Sequence, residues 1–586
     1  MIHHLLEKPL RAAVHAVLPD APGEAIQVRP CPDPKFGDYQ TTSLMSLAKE
    51  RKLNPRQLAT DVLAKLDVSE LCEKVEIAGA GFLNFRLRAD AIGRLLQEAG
   101  RGEQLFLQKA NKPRTIVVDF SSPNVAKPMH VGHIRSTILG DSLADGLGLL
   151  GHRVITDNHI GDWGTQFGLL LVGWKEQLDR AALEREPLGE MERLYKSVAA
   201  AAEGDPAVRE RARQELVKLQ SGDAENLGIW REMISLSQHQ FDEIYARLGV
   251  KFDHTFGESF YNPQLKAVVK ELRDRGIARE SEGAICVFSD GSLPPKQDPF
   301  LIEKEGEWVP NPAIIQKRDG AANYTTTDLA TLAYRLKTWN PDEIVYVTDG
   351  RQQLHFRQLF AIFRRWHPEA KVKLAHVWFG SILGEDNRPF KTREGETIKL
   401  ADLLDEAEDR AFALVTEKNP ELPESQRREI ARVVGVGSVK YSDLLPNRQS
   451  DYVFSWEKML ALNGNTAPYL LYAYARVRSI FRKGEVAAEQ LSSGKIELST
   501  PEELTIAKQL LNFGFVLEAM SEEYRPNYLC NYLYELSGHF ARFYEACPVL
   551  KSERATRATR LLLCDLTARV LQKGLEVLGI ETLEQM

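Results

Sequence analysis

The chain has 586 residues, of which 43% are hydrophobic and 27% charged, and this describes an ordinary soluble protein long enough for several domains with large cores. A formal net charge of −7 gives no global attraction to nucleic acid, so any RNA binding has to come from local basic patches. The six cysteines form no Cys-x-x-Cys pair, which argues against a structural zinc site and suits reduced thiols in a cytoplasmic protein; no stretch is long and apolar enough to span a membrane.

Met1 to Glu7 lacks the basic flank and apolar core of a signal peptide. Residues 1–110 suggest a small α+β module: an amphipathic helix near Leu5 to Val17, a second helix after Asp38 to Thr42, and two short strands with glycines between them from Val75 to Leu87. Thr115 to Phe120 is β-branched and apolar, as a strand buried on both faces should be. Ser121 to Pro128 then forms a loop stiffened by Pro123 and Pro128. A helix follows, with Val131, Ile134, Ile138, Leu139 and Leu143 at helical spacing. His130 and His133 fall in its first turn, where free N–H groups and partial positive charge already favour anions; two imidazole donors added there suit polyphosphate oxygens, and Gly132 lets a flat ligand approach the backbone. Four residues recur by chance, and a plain helix cap is the simpler reading of His-x-x-His alone. Placement at a strand-to-helix turn, where open parallel sheets bind ligands, favours function.

Arg153 to Asp157 is expected to be the next parallel strand, ending in the polar, glycine-rich segment Asn158 to Gly168. From about 174 to 248 the pattern is helical and charged, broken at Gly204-Asp205-Pro206 and Ser221-Gly222-Asp223, and reads as an insertion on the sheet's flank with a solvated face. Alternation resumes with a strand at Lys251 to Asp253, a helix from Pro263 to Arg275 and a hairpin strand at Ile285 to Phe288. Tyr324 and Asp328 stand four apart on a helix after a polar turn and so share one face, a spacing that by itself favours capping and packing. Ile344 to Val347 and Ala375 to Leu383 complete the strands, and a loop rich in turn formers and cations spans Gly384 to Gly395. From about Leu400 to Met586 the chain reads as nearly all helix, with Tyr474, Arg478 and Arg482 in an aromatic and basic stripe that could stack on bases and hold phosphates, or could be a solvated face. No Gly-x-x-x-x-Gly-Lys-Ser/Thr loop, His-Glu-x-x-His helix or Gly-x-Ser-x-Gly elbow competes.

His130-Val131-Gly132-His133 resembles the His-Ile-Gly-His signature of class I aminoacyl-tRNA synthetases, and the longer run from Ser122 to His133 resembles that of arginyl-tRNA synthetases. Lys35 to Gln40, Gly81 to Phe85, Asn323 to Ala330, Lys440 to Asp443, Asp451 to Phe454 and Asn463 to Tyr469 are similar to the same family, in the family's order. The resemblance implies an α/β fold: a Rossmann-like parallel-sheet catalytic domain at 111–400 (helical insertion about 174–248), an N-terminal tRNA-contacting module at 1–110, a connecting helical region at 401–465 and an all-helical anticodon-binding domain at 466–586. It implies ATP-dependent activation of L-arginine and transfer to the 3′-terminal adenosine of tRNA(Arg), with Mg²⁺ on the ATP, no protein-bound zinc or other protein-held metal, no membrane partner and a monomeric chain.

By the same resemblance, His130, Gly132 and His133 bind ATP; His130, His133, Lys127, Lys391 and Arg393 are catalytic. The last two stand where class I enzymes carry a Lys-Met-Ser-Lys-Ser loop, from which this chain departs. Asp328 is expected to receive the guanidinium, flanked by Tyr324 and Glu258, while Asn124 and Gln352 hold the amino acid's polar end. Tyr474, Arg478, Arg482, Tyr544 and Met586 are expected to meet tRNA. Two other classes share features: small-molecule nucleotidyltransferases, which have the His-x-Gly-His helix but leave the C-terminal helices unexplained, and non-catalytic RNA-binding paralogues, which have no reason to keep His130, His133, Tyr324 and Asp328 together.

Overall fold

The computed structural model describes residues 1–390, 397–486 and 496–586. The chain divides into two compact units, one of residues 111–414 and 446–457, the other of residues 1–110, 415–445 and 458–586.

The first unit is organised by five parallel strands. In chain order its main elements are β1 (Thr115–Asp119), α1 (Val131–Leu149), β2 (Arg153–Asn158), β3 (His254–Thr255), α2 (Tyr324–Trp339), β4 (Glu343–Tyr346), α3 (Gln353–Trp366) and β5 (Lys373–His376). Across the sheet the order is β5-β4-β1-β2-β3, every neighbour parallel. The first strand is therefore central. The chain builds outward on one side of it and later returns to the other, leaving a switch point between the C-terminal ends of β1 and β4, where such Rossmann-like sheets bind ligands. The strands are apolar on both faces because helices cover both: Val117 lies opposite Ile155 and Ile344, all buried in a core that also takes Leu329 and Leu332 of α2 and Leu359 and Ile362 of α3.

Three expectations need correction. The strand expected at Lys251 to Asp253 is displaced to His254–Thr255, because the Asp253 carboxylate accepts from Thr156 N–H at 2.9 Å and occupies that rung of the ladder. The segment Ala375 to Leu383 is not one strand: β5 stops at His376, Gly380 N–H turns to Arg448 O at 2.9 Å, and Ile382–Leu383 pairs instead with Tyr452–Val453. That last strand also interrupts the expected run of helix beyond residue 400. The insertion does break where its sequence says, with Asp205 and Asp223 capping new helices and Gly222 left-handed at φ 90° between them. Its helices begin earlier, at Gln166. Ile285 lies in a small antiparallel sheet of Ala278–Ser281, Ala284–Val287 and Ala313–Gln316.

The other unit joins the N-terminal module to C-terminal helices. Its antiparallel sheet runs Arg29–Pro30, Tyr39–Thr41, Phe82–Leu87, Cys72–Ala78. Tyr39 donates to Asn512 at 2.6 Å and Lys508 pairs with Asp38 at 2.7 Å, so the module's strands and the helices around residue 510 share one interior. No described helix is long and apolar enough to cross a membrane.

Two glycines of α1 test how tightly that helix lies on the sheet. A Cβ at Gly140 would sit 2.1 Å from Cγ of the buried Phe120, whereas one at Gly148 would meet nothing within 4 Å. Gly140→Ala should therefore destabilise by about 1–3 kcal/mol through overpacking, and Gly148→Ala should stabilise by up to about 1 kcal/mol through helix propensity. Denaturant midpoints of the two variants, read side by side, check the pair.

Candidate active site

The loop leaving β1 is strained. Ser121, Ser122 and Ala126 are non-glycine residues with φ of 73°, 50° and 62°, a conformation that costs roughly 1–3 kcal/mol each unless the surroundings enforce it. They do. Ser121 N–H donates to Ser136 Oγ at 2.9 Å, the Ser121 hydroxyl bonds the Tyr245 hydroxyl at 2.8 Å, Ser122 N–H donates to Asn158 at 3.0 Å, and Ala126 N–H donates to Ser237 Oγ at 3.0 Å. Ser237 and Tyr245 lie on the insertion's last helix, Ala224–Leu248, so this charged helix also buttresses the loop.

The loop delivers His130 to the N-cap of α1. Its Nδ1 accepts from Gly132 N–H at 3.1 Å, and Nδ1 of His133 accepts from His130 N–H at 3.1 Å, with the rings 4.0 Å apart. A backbone N–H can only donate, so both Nδ1 atoms present lone pairs and each neutral ring carries its proton on Nε2. Burial, then the charge of His130, pushes His133 down to about 3; burial, then Lys127 and Arg351, lowers His130. The result is two neutral imidazoles offering paired Nε2–H donors at the positive end of a 19-residue helix, whose first three N–H groups are already bonded to Ile398 and His130. A Cβ at Gly132 would come within 2.8 Å of the His130 ring, so this glycine first makes room for the cap itself. Lys127 is exposed, its Nζ 5.0 Å from the centre of the Tyr195 ring, and Asn124 is exposed where its loop pairs with Gly161. Ile398 O accepts from Val131 N–H at 3.0 Å. Lys391 and Arg393 lie outside the described residues.

An acidic pocket faces the same end of the sheet. Asp328, one turn into α2, accepts from His355 Nε2 at 2.6 Å through one oxygen, and its other oxygen lies 3.9 Å from His159 Nε2. The His159 side chain is half-buried, and neither of its buried ring nitrogens has a hydrogen-bond partner among the described residues. Tyr324 is 57% exposed, its ring 4.8 Å from that of His355. Glu258 opens the short helix Glu258–Tyr261; burial, then the charges of Asp328 and Asp162, pushes its carboxyl up to about 8. Asp162 is itself tied to Ser259, accepting its N–H at 2.8 Å and its hydroxyl at 2.5 Å. Gln352 is exposed at the end of the single turn Gly350–Gln352 after β4.

Under both halves lies Arg335. Fully buried, it donates to Asp119 at the end of β1 at 2.6 Å and to Asp157 near the end of β2 at 2.7 Å. Sequence reading missed Arg335, His159, His355 and Tyr245, and no local pattern could have found them, since the residues they meet are 27 to 216 positions away.

In the other unit three of the five residues expected to meet tRNA form a closed ladder. Tyr474 is 2% exposed and donates to Glu584 at 2.9 Å; Arg478 and Arg482 pair with the same carboxylate at 3.0 and 3.6 Å. The spacing does bring the three onto one helix face, but the Tyr474 ring has no free face for a base, because burial wins for an aromatic in a helical core. Tyr544 and Met586 are half-buried, the former with Arg476 5.0 Å from its ring centre.

Comparison with known proteins agrees with this arrangement. Residues 95–456 match the family described as tRNA synthetases class I (R), catalytic domain, 470–586 the DALR anticodon binding domain, and 4–87 the arginyl tRNA synthetase N terminal domain. The arginine–tRNA ligases of Hahella chejuensis and Cellvibrio japonicus are 45% and 48% identical over 100% and 94% of both chains. The solved arginyl-tRNA synthetase of Thermus thermophilus superposes with a TM-score of 0.84 at 25% identity, covering 100% of both chains. The switch-point sheet with its His-Val-Gly-His helix is thus a class I aminoacyl-tRNA synthetase catalytic unit. The chain belongs to the arginyl-tRNA synthetases, enzymes that use ATP to ligate arginine to tRNA.

Removing Arg335 would leave Asp119 and Asp157 buried without their counter-charge. Arg335→Met should cost about 3–5 kcal/mol. The deficit should narrow on acidification, because unpaired buried carboxylates have raised pKa values and the folded variant gains stability as they take up protons. Urea unfolding at pH 5.5 and pH 8 measures both the size and the sign.

Proposed function

We propose that the His130–His133 pair and the Asp328–Glu258 pocket divide the adenylation reaction between them. The observation that carries the reading is their placement at one switch point: neutral N–H donors for phosphate on one side, two carboxyls for a guanidinium on the other. Arginine's carboxylate oxygen attacks the α-phosphorus of ATP, supplied as its Mg²⁺ complex, the bond to the bridging oxygen breaks, and pyrophosphate leaves with that electron pair. The Nε2–H groups of His130 and His133 follow the charge developing on the leaving phosphates, with Lys127 adding a cation from the preceding loop and the Lys391 to Arg393 segment supplying others. The terminal adenosine ribose of tRNA(Arg) then attacks the acyl carbon and AMP departs.

Asp328 receives the guanidinium, with Glu258 and Tyr324 at its flanks, and Asn124 and Gln352 hold the amino acid's polar end. His355 fixes the rotation of the Asp328 carboxylate. The module at 1–110 and the helices from 466 contact tRNA, through Arg478 and Arg482 once Glu584 gives way, and through Tyr544 and Met586. The enzyme works as a cytoplasmic monomer. Family membership and full-length likeness to curated arginine–tRNA ligases support this reading over a small-molecule nucleotidyltransferase or an inactive paralogue.

The guanidinium pocket has a pH signature. With Glu258 raised to about 8 in the empty site, a bound guanidinium favours its ionised form, so kcat/KM for arginine should rise with pH towards a plateau above about 8. Glu258→Gln should flatten that rise, and Asp328→Ala should raise the arginine KM by about 10²-fold or more, as loss of a buried charge partner requires. An unchanged profile in Glu258→Gln, read by arginine-dependent pyrophosphate exchange with tRNA present, sinks the assignment of Glu258.

His355→Ala should raise the arginine KM about tenfold with little change in kcat, the signature of lost ground-state binding, and His355→Gln should recover most of it by donating the same hydrogen bond. Equal loss in both variants, or a change in kcat alone, would count against a positioning role.

A further inference from the structure

Outside the catalytic unit, two imidazoles converge on one carboxylate oxygen. His3 and His4 open the helix Ile2–Val17, and Glu518 lies on the helix Phe513–Glu523, 515 residues from His3. Nε2 of His3 is 2.7 Å and Nε2 of His4 3.3 Å from the same oxygen, Glu518 Oε2. The His3 ring is buried, edge-on to Phe515 at 5.3 Å, and stands 4.2 Å from the His4 ring. The three potential ligand atoms lie within 4.8 Å of one another.

We propose that His3, His4 and Glu518 form a binding site for a divalent transition metal of the zinc type, clamping the N-terminal helix of this unit to its helix at residue 518. Two imidazole nitrogens and one carboxylate oxygen are a donor set that zinc takes with a fourth position left to water, whereas Mg²⁺ and Ca²⁺ demand oxygen. A tetrahedral zinc at about 2.0–2.1 Å from each ligand sets neighbouring ligand atoms about 3.3 Å apart. The His4–Glu518 pair already has that spacing, and His3–Glu518 must open by about 0.6 Å, a small side-chain shift for a half-buried glutamate.

Proton accounting favours a cation. His4 Nδ1 lies 3.4 Å from Gln108 Oε1. A proton on Nδ1 directed at that carbonyl turns Nε2 towards the carboxylate as a lone pair, the form in which an imidazole binds a metal. Gln108 then orients the ring as carbonyl acceptors behind metal-bound histidines do. The scarcity of cysteine pairs that argues against a thiolate zinc site does not bear on this cluster.

The test uses the full chain, stripped with chelator and titrated with zinc chloride by equilibrium dialysis. The expected result is one zinc per chain, bound at least tenfold more weakly in His4→Asn and in Glu518→Gln, and unaffected in a His130→Asn, His133→Asn double variant. Zinc should also raise the thermal midpoint of the parent but not of Glu518→Gln. X-ray absorption of the zinc-loaded parent, which does not rely on any variant folding, should show a nitrogen and oxygen shell with two imidazoles. No stoichiometric binding, binding retained by both cluster variants, binding lost with the His130 and His133 pair, or a sulfur shell would each overturn the proposal.

Discussion

Everything at the catalytic end of the sheet depends on a charge that cannot leave. β1 and β2 both carry aspartates near their C-terminal ends, where a buried carboxylate is costly, and the guanidinium of Arg335 sits between them. Burial presses Asp119 towards its neutral form and Arg335 opposes it. Because Arg335 comes from α2, this one ion triad fixes where α2 lies on the sheet. The same helix carries Tyr324 and Asp328 at its start, about two turns and more ahead of Arg335. The ends of β1 and β2 and the helix that carries Asp328 are thereby joined through three side chains.

The strained loop is the second constraint, and it explains why the insertion packs as it does. Three left-handed residues within six positions are held by hydroxyls from α1 and from Ala224–Leu248 and by the Asn158 carboxamide of β2, and their effect is to swing His130 into the cap. Once there, backbone N–H groups consume both Nδ1 atoms, which fixes the tautomers without any acidic partner. On the proposed reading neutral donors suit adenylation: they strengthen as charge appears on the leaving phosphate without gripping the ground-state polyphosphate as two fixed cations would.

Much of this was legible in the sequence because it is local. The β-branched run at Thr115, the helical spacing from Val131, the histidine pair and the breaks at Gly204-Asp205-Pro206 and Ser221-Gly222-Asp223 each depend on neighbours within a few residues. What was not legible depends on partners far along the chain. Arg335 in an amphipathic helix looks like a solvated arginine until Asp119 and Asp157 are brought to it. Tyr474 looks like a stacking platform until its helix is buried beside Glu584. The strand at Lys251 slipped because a side chain, Asp253, took a bond that backbone patterning assigns to the ladder, and the apolar run from Ala375 continued past the point where β4 can pair with it.

On the proposed reading, the acid pocket sets specificity through a group that is not yet charged. Burial and the nearby charges of Asp328 and Asp162 keep Glu258 protonated near neutrality in the free enzyme, while His355 steadies Asp328. A guanidinium entering the pocket repays the ionisation of Glu258, about 1.4 kcal/mol at pH 7 for a group titrating near 8. A neutral isostere cannot. It must either leave the half-buried Asp328 without a charge partner from the substrate or sit against a carboxyl that has no reason to release its proton, and both penalties fall on the wrong substrate alone. On the proposed reading, discrimination against uncharged analogues is therefore built into the protonation state of the free enzyme, and the first step needs no later correction by hydrolysis.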